Sequence, residues 1–195
     1  MSRFDRRQII CDATLDLAAA GGNHAVSHQA VDRHLSLPKG STSYYFRTRQ
    51  ALISAAAQRL VDRSRAAFDE RFGGDGRGPD AIELISDYLD ELLTDRRRDV
   101  LARAALVQEP VDDSAIVDVL ARCFFSVDAA VALMRSRAIA DPEAAADRLI
   151  TVLEGIAFAH THGLHGRADP RRGELAPAMR PLVSMALGTP PADTG

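Results

Sequence analysis

Residues 27–49 read SHQAVDRHLSLPKGSTSYYFRTR, and this stretch decides how the rest of the chain is read. Ser27 is a natural N-cap, so a short helix starts there and runs to about residue 35. Leu37-Pro38-Lys39-Gly40 is a turn, and a second short helix spans about 41–46, with Pro38 suited to its start. Ala30, Val31, Leu35 and Leu37 are the apolar residues that would lock the pair together. Two short helices joined by a four-residue turn are what a helix-turn-helix needs. The second helix would present Lys39, Ser41, Thr42, Ser43, Tyr44 and Tyr45, all hydrogen-bond donors for phosphates or base edges. Small hydroxyl residues let a helix sit close to a groove floor. The tyrosines and Arg49 flank it at the radius where phosphates lie.

Outward from this stretch the chain is helical. Glycine and proline are absent from residues 41–72, 80–109 and 111–141, windows rich in strong helix formers that leave little room for a sheet. The chain therefore reads as all-α, with about nine helices. Ile9, Ile10, Ala13 and Leu17 mark one face of a helix over about 5–20, ended by Gly21-Gly22. A long helix from about 48 carries Ile53, Ala57, Leu60, Ala67 and Phe68, and runs into the glycine-rich, flexible stretch 73–79. Ile82, Ile85, Leu89, Leu92 and Leu93 mark the next helix, with Asp80 and Glu83 suiting its N-terminal dipole. Residues 100–107 form another, stopped by Pro110, and Asp112-Asp113-Ser114 then opens one long helix bearing Ile116, Leu120, Phe124, Val127, Val131 and Met134. Pro142 starts a helix ending near Gly163, and a polar linker covers 166–173. A last helix over about 174–187 is broken or kinked by Pro177 and Pro181. The tail that follows reads as disordered.

Composition bounds the function. Of 195 residues, 46% are hydrophobic and 26% charged, which excludes global disorder. No run of eighteen apolar residues occurs and no apolar segment follows the charged N-terminus, so the expected location is the cytoplasm. Cys11 and Cys123 are too isolated for a disulfide framework or a zinc site. The net charge of −3 looks wrong for a nucleic-acid binder, but it is unevenly spread. Residues 1–50 hold seven basic side chains against four acidic ones, +3, which leaves −6 on 51–195. A basic head on an acidic body is the footprint of a protein that meets phosphate with one domain.

The Ile9-Ile10-x-x-Ala13 run, Gly21-Gly22, Ser27, Lys39-Gly40-Ser41, Phe46 and Arg49-Gln50-Ala51-Leu52 together resemble the TetR-type transcriptional regulators, over about residues 7–57. The rest of the chain matches that family in architecture alone. Two positions depart from its pattern: Ser43 stands where a tyrosine is usual, and Arg49 where a lysine is. The resemblance implies a three-helix DNA-binding domain over 1–50, a larger helical ligand-binding and dimerisation domain over 51–188, and a flexible tail over 189–195. It implies that Ser27 caps the second helix and touches a phosphate, and that His28, Lys39, Ser41 and Thr42 face base edges. Gly40 would allow close approach, and Tyr44, Tyr45 and Arg49 would grip the backbone. Lys39, the chain's one lysine, is the candidate reader of a guanine. The implied effector pocket takes in Tyr88, Gln108, Phe124, Val127, Val131, Met134 and His160, with no cofactor. The partners are palindromic double-stranded DNA, a small molecule, and a second copy bound through the last two helices. The implied role is a ligand-released repressor.

Other features weigh less. His160, His162 and His165 alternate at a helix end without an acidic or cysteine cluster, a polar terminus rather than a metal site. Arg96-Arg97-Arg98 lies among Asp90, Glu91, Asp95 and Asp99 and reads as a solvated, salt-bridged face. No phosphate loop, Gly-x-Ser-x-Gly elbow or HExxH is present, so no enzyme is expected. The alternative is a helical ligand sensor that acts through protein contacts without DNA.

Overall fold

Apolar residues at helical spacing define nearly every element of the computed structural model, which describes residues 3–72, 80–108 and 114–188. Ten α-helices and one 3-10 turn are present among these residues, and no strand, which matches the all-α reading. The helices are α1 (Arg3–Gly21), α2 (His28–His34), α3 (Ser41–Tyr45), α4 (Arg49–Phe72) and α5 (Ala81–Leu93). They continue with α6 (Arg97–Val107), α7 (Ser114–Ala121), α8 (Val127–Ser136), α9 (Pro142–Thr161) and α10 (Ala176–Ala186). The stretch 73–79, Pro110, Asp112-Asp113 and the tail from 189 lie outside the described residues.

The described residues fall into two compact units, one within 1–69 and 98–124, the other within 70–97 and 125–195. In the first, Ile10, Ala13, Leu15, Val31, Phe46, Leu52, Ile53, Leu60, Leu106 and Phe124 are buried. Ile9 and Leu17 are half-buried; Leu15 takes the fully buried place on α1. That helix ends where expected: Gly22 has φ 67 and donates its N–H to the Ala18 carbonyl at 2.9 Å. Ion pairs tie α1 to α4 and α6. Arg59 grips Asp12 bidentately at 2.8 and 2.7 Å, and Arg98 lies 3.4 Å from Asp16 and 3.2 Å from Asp99. Cys11 and Cys123 are both buried, and burial pushes the Cys11 thiol up to about 11 against the pull of Arg7 and Arg59.

Three sequence expectations need correcting. The long helix expected from 112 through Met134 is two helices, α7 and α8, broken over 122–126. Arg103 takes the break's open carbonyls, donating to Leu120 O at 2.9 Å and Ala121 O at 2.7 Å, and Ser126 caps α8 by accepting the Ala129 N–H. Second, the arginine run is half-buried and salt-bridged only in part: Arg98 pairs with Asp99, but among the described residues the other three acids do not pair with the run. Arg97 donates to the carbonyls of His160 and Gly166, at 2.6 and 2.7 Å, while Asp90, Glu91 and Asp95 are taken by Arg172.

Third, α10 is not broken by its prolines. Pro177 sits in the first turn, where its missing N–H costs nothing, and the helix continues across Pro181. Ala176, Met179 and Val183 are buried, and α10 packs against α5 and α9. The buried Asp90 of α5 holds its start, accepting N–H groups from Gly173, Leu175 and Ala176 at 2.7, 2.8 and 3.2 Å.

Candidate nucleic-acid interface

The helix-turn-helix is held shut by one buried carboxylate. Asp32, 4% exposed, accepts the Thr42 N–H at 2.8 Å and the Thr42 hydroxyl at 2.6 Å on one oxygen. Its other oxygen accepts the Gly40 N–H at 2.8 Å. The two amides are the open donors at the start of α3, so Asp32 caps that helix from α2. Burial raises the pKa of this carboxyl, but the bonds from Thr42 and Gly40 outweigh it and the net shift is downward. Gly40 itself has φ 91, a conformation that glycine adopts without strain and that turns the chain into α3.

The first helix of the pair is fixed at its other end. Ser27 caps α2 as expected, its hydroxyl accepting the Ala30 N–H at 3.1 Å. Arg49 donates from Nε to Val26 O at 3.0 Å and from Nη2 to Asn23 O at 2.8 Å. Arg7 of α1 donates to Tyr45 O at 2.8 Å and stacks its guanidinium 4.2 Å from the centre of the buried Phe46 ring. The Phe46 carbonyl lies 2.8 Å from His28 Nε2. These contacts fix the angle at which α3 leaves the body of the unit.

All nine residues proposed to meet DNA lie on this hairpin and its flanks, but the structure gives several of them a different task. Thr42 is fully buried, so the expectation that it faces a base edge is corrected: its hydroxyl belongs to Asp32. Arg49 spends two donors on backbone carbonyls inside the unit, so it braces the hairpin as well as standing on its flank. His28 is half-buried with Nε2 turned to Phe46 O, and the Ser41 hydroxyl donates to Pro38 O at 2.6 Å. Lys39, Ser43, Tyr44, Arg47 and Thr48 are exposed, Tyr44 to 67%, with the half-buried Tyr45 set edge-on against it.

Sequence reasoning missed Gln29 and Arg33. Both are exposed on α2 and line an open cleft of about 240 Å³ with Asp32, Leu37 and Lys39. Their spacing of four residues on a capped helix was the available signal. Asp32 was missed too; an acid in an otherwise basic hairpin, ten residues before Thr42, was its only mark.

The residues proposed for an effector pocket are divided between the units. Gln108, exposed, and Phe124, buried beneath the Arg103 guanidinium, belong to the first. In the second, Met134 is buried, Val131 half-buried and Val127 exposed. Tyr88 is buried edge-on between Phe72 at 5.2 Å and Phe125 at 6.2 Å. His160 lies at the end of α9 against His165. Among the described residues no group of three or more potential metal ligands occurs, and no helix is long and apolar enough to cross a membrane.

The fold these elements define is that of the TetR-type regulators. The chain superimposes on a TetR family member from Streptomyces coelicolor A3 with a TM-score of 0.71, at 22% identity, covering 93% of this chain and 98% of that one. A transcriptional regulator from Rhodococcus sp. Rha1 gives 0.72 at 20% identity, covering 93% and 96%. The multidrug binding protein EbrR, complexed with ethidium, gives 0.64 at 23% identity over 93% and 98%. No protein-family model and no curated protein matches the sequence.

Proposed function

We propose that the chain is a ligand-responsive, DNA-binding transcriptional regulator, working as a homodimeric repressor on a palindromic operator. The observation that carries the reading is the hairpin of α2 and α3, braced from behind by Asp32, Arg7 and Arg49, with a row of donors left outward. Gln29, Arg33, Lys39, Ser43, Tyr44 and Arg47 make up that row, and all are exposed. A rigid backing with an outward row of basic and hydroxyl groups suits a major groove, with Lys39 at the base edges and Arg47 at phosphate. The charge of +3 on residues 1–50 supports it.

Pairing of two copies would proceed through α9 and α10. Both helices leave large apolar side chains in solvent: Val152 and Phe158 on α9, Leu182 and Met185 on α10. Two such heads on one dimer would enter successive major grooves about 34–36 Å apart. A small molecule bound by the helices beyond residue 50 would favour a conformer with the heads wrongly spaced and release the DNA. EbrR's complex with ethidium makes a planar aromatic cation the first effector to try.

The deciding experiment is a gel shift of random-sequence duplex DNA by the purified chain at low salt, followed by selection of bound sites from a random pool. Retarded complexes and a two-fold symmetric site are expected. An unshifted duplex at micromolar protein rejects the reading.

A further inference from the structure

The last turn of α9 and the loop behind it close on themselves. His162 and Gly163 both donate to Phe158 O, at 2.8 and 2.9 Å, and His165 donates to Ala159 O at 2.9 Å. The path is tight enough to require glycine twice. A Cβ on Gly163 would meet Ala159 Cα at 2.8 Å, and one on Gly166 would meet Thr161 O at 2.8 Å. Arg97 fastens the two ends of the loop, donating from Nη1 to His160 O at 2.6 Å and from Nη2 to Gly166 O at 2.7 Å. The wrap brings His165 back onto His160, with ring centroids 4.8 Å apart and planes at 29°.

Two neutral imidazoles stack well at this distance; two imidazolium ions beside a fixed guanidinium do not. The helices packed most closely against α9 are α5, α8 and α10, and Arg97 of α6 reaches its last turn. The charged groups that lower the proton affinity of the His160 ring are His165, from the loop stacked on it, and Arg97. We propose that the His160–His165 stack is an acid-opened latch on the C-terminal end of α9, closed while the His160 ring is neutral and opened as that ring takes a proton from solvent.

The direction of the shift agrees. Burial first, then His165 and Arg97, holds the His160 pKa below its ordinary 6.5 in the closed form. An opened loop regains the ordinary value, so it binds protons that the closed loop refuses. The latch is therefore stable above about pH 6.5 and weakens as pH falls below that value. Because the closed form binds the proton more weakly than the open one, the opening equilibrium rises as pH falls from 7.5 to 5.5. Phe158 stacks on His162 at 5.7 Å, and Leu164 on the same loop is 90% exposed, so opening rearranges apolar surface at the end of α9. If α9 and α10 form the pairing face proposed above, acid loosens the dimer; that consequence rests on the earlier reading, whereas the latch does not.

The test is hydrogen exchange at the Gly163, His165 and Gly166 amides of the full chain, expressed as protection factors at pH 7.5, 6.5 and 5.5. The expected result is protection that falls from pH 7.5 to 5.5 in the wild type. A double variant, His160→Phe with His165→Phe, keeps two stacked rings without a titrating group and should hold its protection. His165→Phe alone, at an exposed position, should show a reduced loss. Flat protection in the wild type, or an equal fall in the double variant, overturns the latch. Light scattering at the same pH values separates the two proposals. A monomer throughout, with exchange that responds to pH, rejects pairing and keeps the latch; a dimer throughout, with flat exchange, does the reverse.

Discussion

Asp32 and Thr42 are joined twice: one carboxylate oxygen accepts both the backbone N–H and the hydroxyl of Thr42, at 2.8 and 2.6 Å. This pair, extended to the Gly40 amide, sets the geometry between α2 and α3. Replacing Asp32 with Ala strands three donors, two of them on a fully buried threonine. Hydrogen bonds to a charged group are worth roughly 1.5–3 kcal/mol each and are not additive. Urea unfolding should show a loss of about 3 kcal/mol. Asp32→Asn, which still accepts hydrogen bonds, should lose less. Equal stability of Asp32→Ala and wild type would show that the bracket is ornamental.

The same carboxylate makes stability depend on acid. Asp32 has its pKa lowered by Thr42 and Gly40 against burial, and Asp12 has its own lowered by the Arg59 hydrogen bond, again against burial. A lowered carboxyl contributes stability that is present above its unfolded value, near 4, and lost as pH falls through the folded value. The stability difference between wild type and Asp32→Asn should therefore be full at pH 6 and shrink below about pH 4. A difference that grows with acid has the wrong sign.

Gly40 tests the turn alone. At φ 91 a side chain strains the backbone, although a Cβ there would meet nothing within 4 Å. Gly40→Ala should cost about 1–2 kcal/mol by thermal or urea unfolding, from conformation rather than collision. A neutral substitution would mean that the turn relaxes.

Arg49 and Arg47 separate bracing from binding. Arg49→Ala should lower stability, and Arg49→Lys should not restore it, because one ammonium cannot reach Val26 O and Asn23 O as the guanidinium does. The exposed Arg47 should do the opposite: Arg47→Ala leaves unfolding unchanged and reduces the salt slope of DNA binding by about one. Lys39→Ala should relax specificity at one operator position. An Arg47→Ala protein with an unaltered slope would remove that residue from the interface.

Phe158, 63% exposed, and Met185, 66% exposed, test the pairing face. Phe158→Asp with Met185→Glu should turn a dimer into a monomer by light scattering while the circular dichroism of the helices stays the same. A dimer that survives both charges pairs elsewhere.

Much of this was legible in the sequence because it rests on short-range rules. Ser27 as a cap, Gly22 as a stop and the hairpin of α2 and α3 each follow from a few neighbouring residues. What was not legible depends on partners far along the chain. Nothing near Arg103 says that it closes the end of α7, seventeen residues on, so the break before α8 was read as continuous helix. Apolar spacing carried that reading, because Leu120, Phe124, Val127 and Val131 keep a helical period across the gap. Thr42 failed in a different way. Hydroxyl residues on a recognition helix read alike, and only the buried carboxylate of Asp32 distinguishes the one that faces inward.

The side chains that hold the hairpin and the donors that it turns outward are different residues. Ser27, Asp32, Gly40, Thr42 and Arg49 do the holding; Gln29, Arg33, Lys39, Ser43, Tyr44 and Arg47 face out. The scaffold is thus indifferent to what is written on its outer face. Substitutions at Gln29, Arg33, Lys39, Ser43 and Arg47 leave the bonds from Gly40 and Thr42 to Asp32 in place, so the outer face can change without a change in how the hairpin is held.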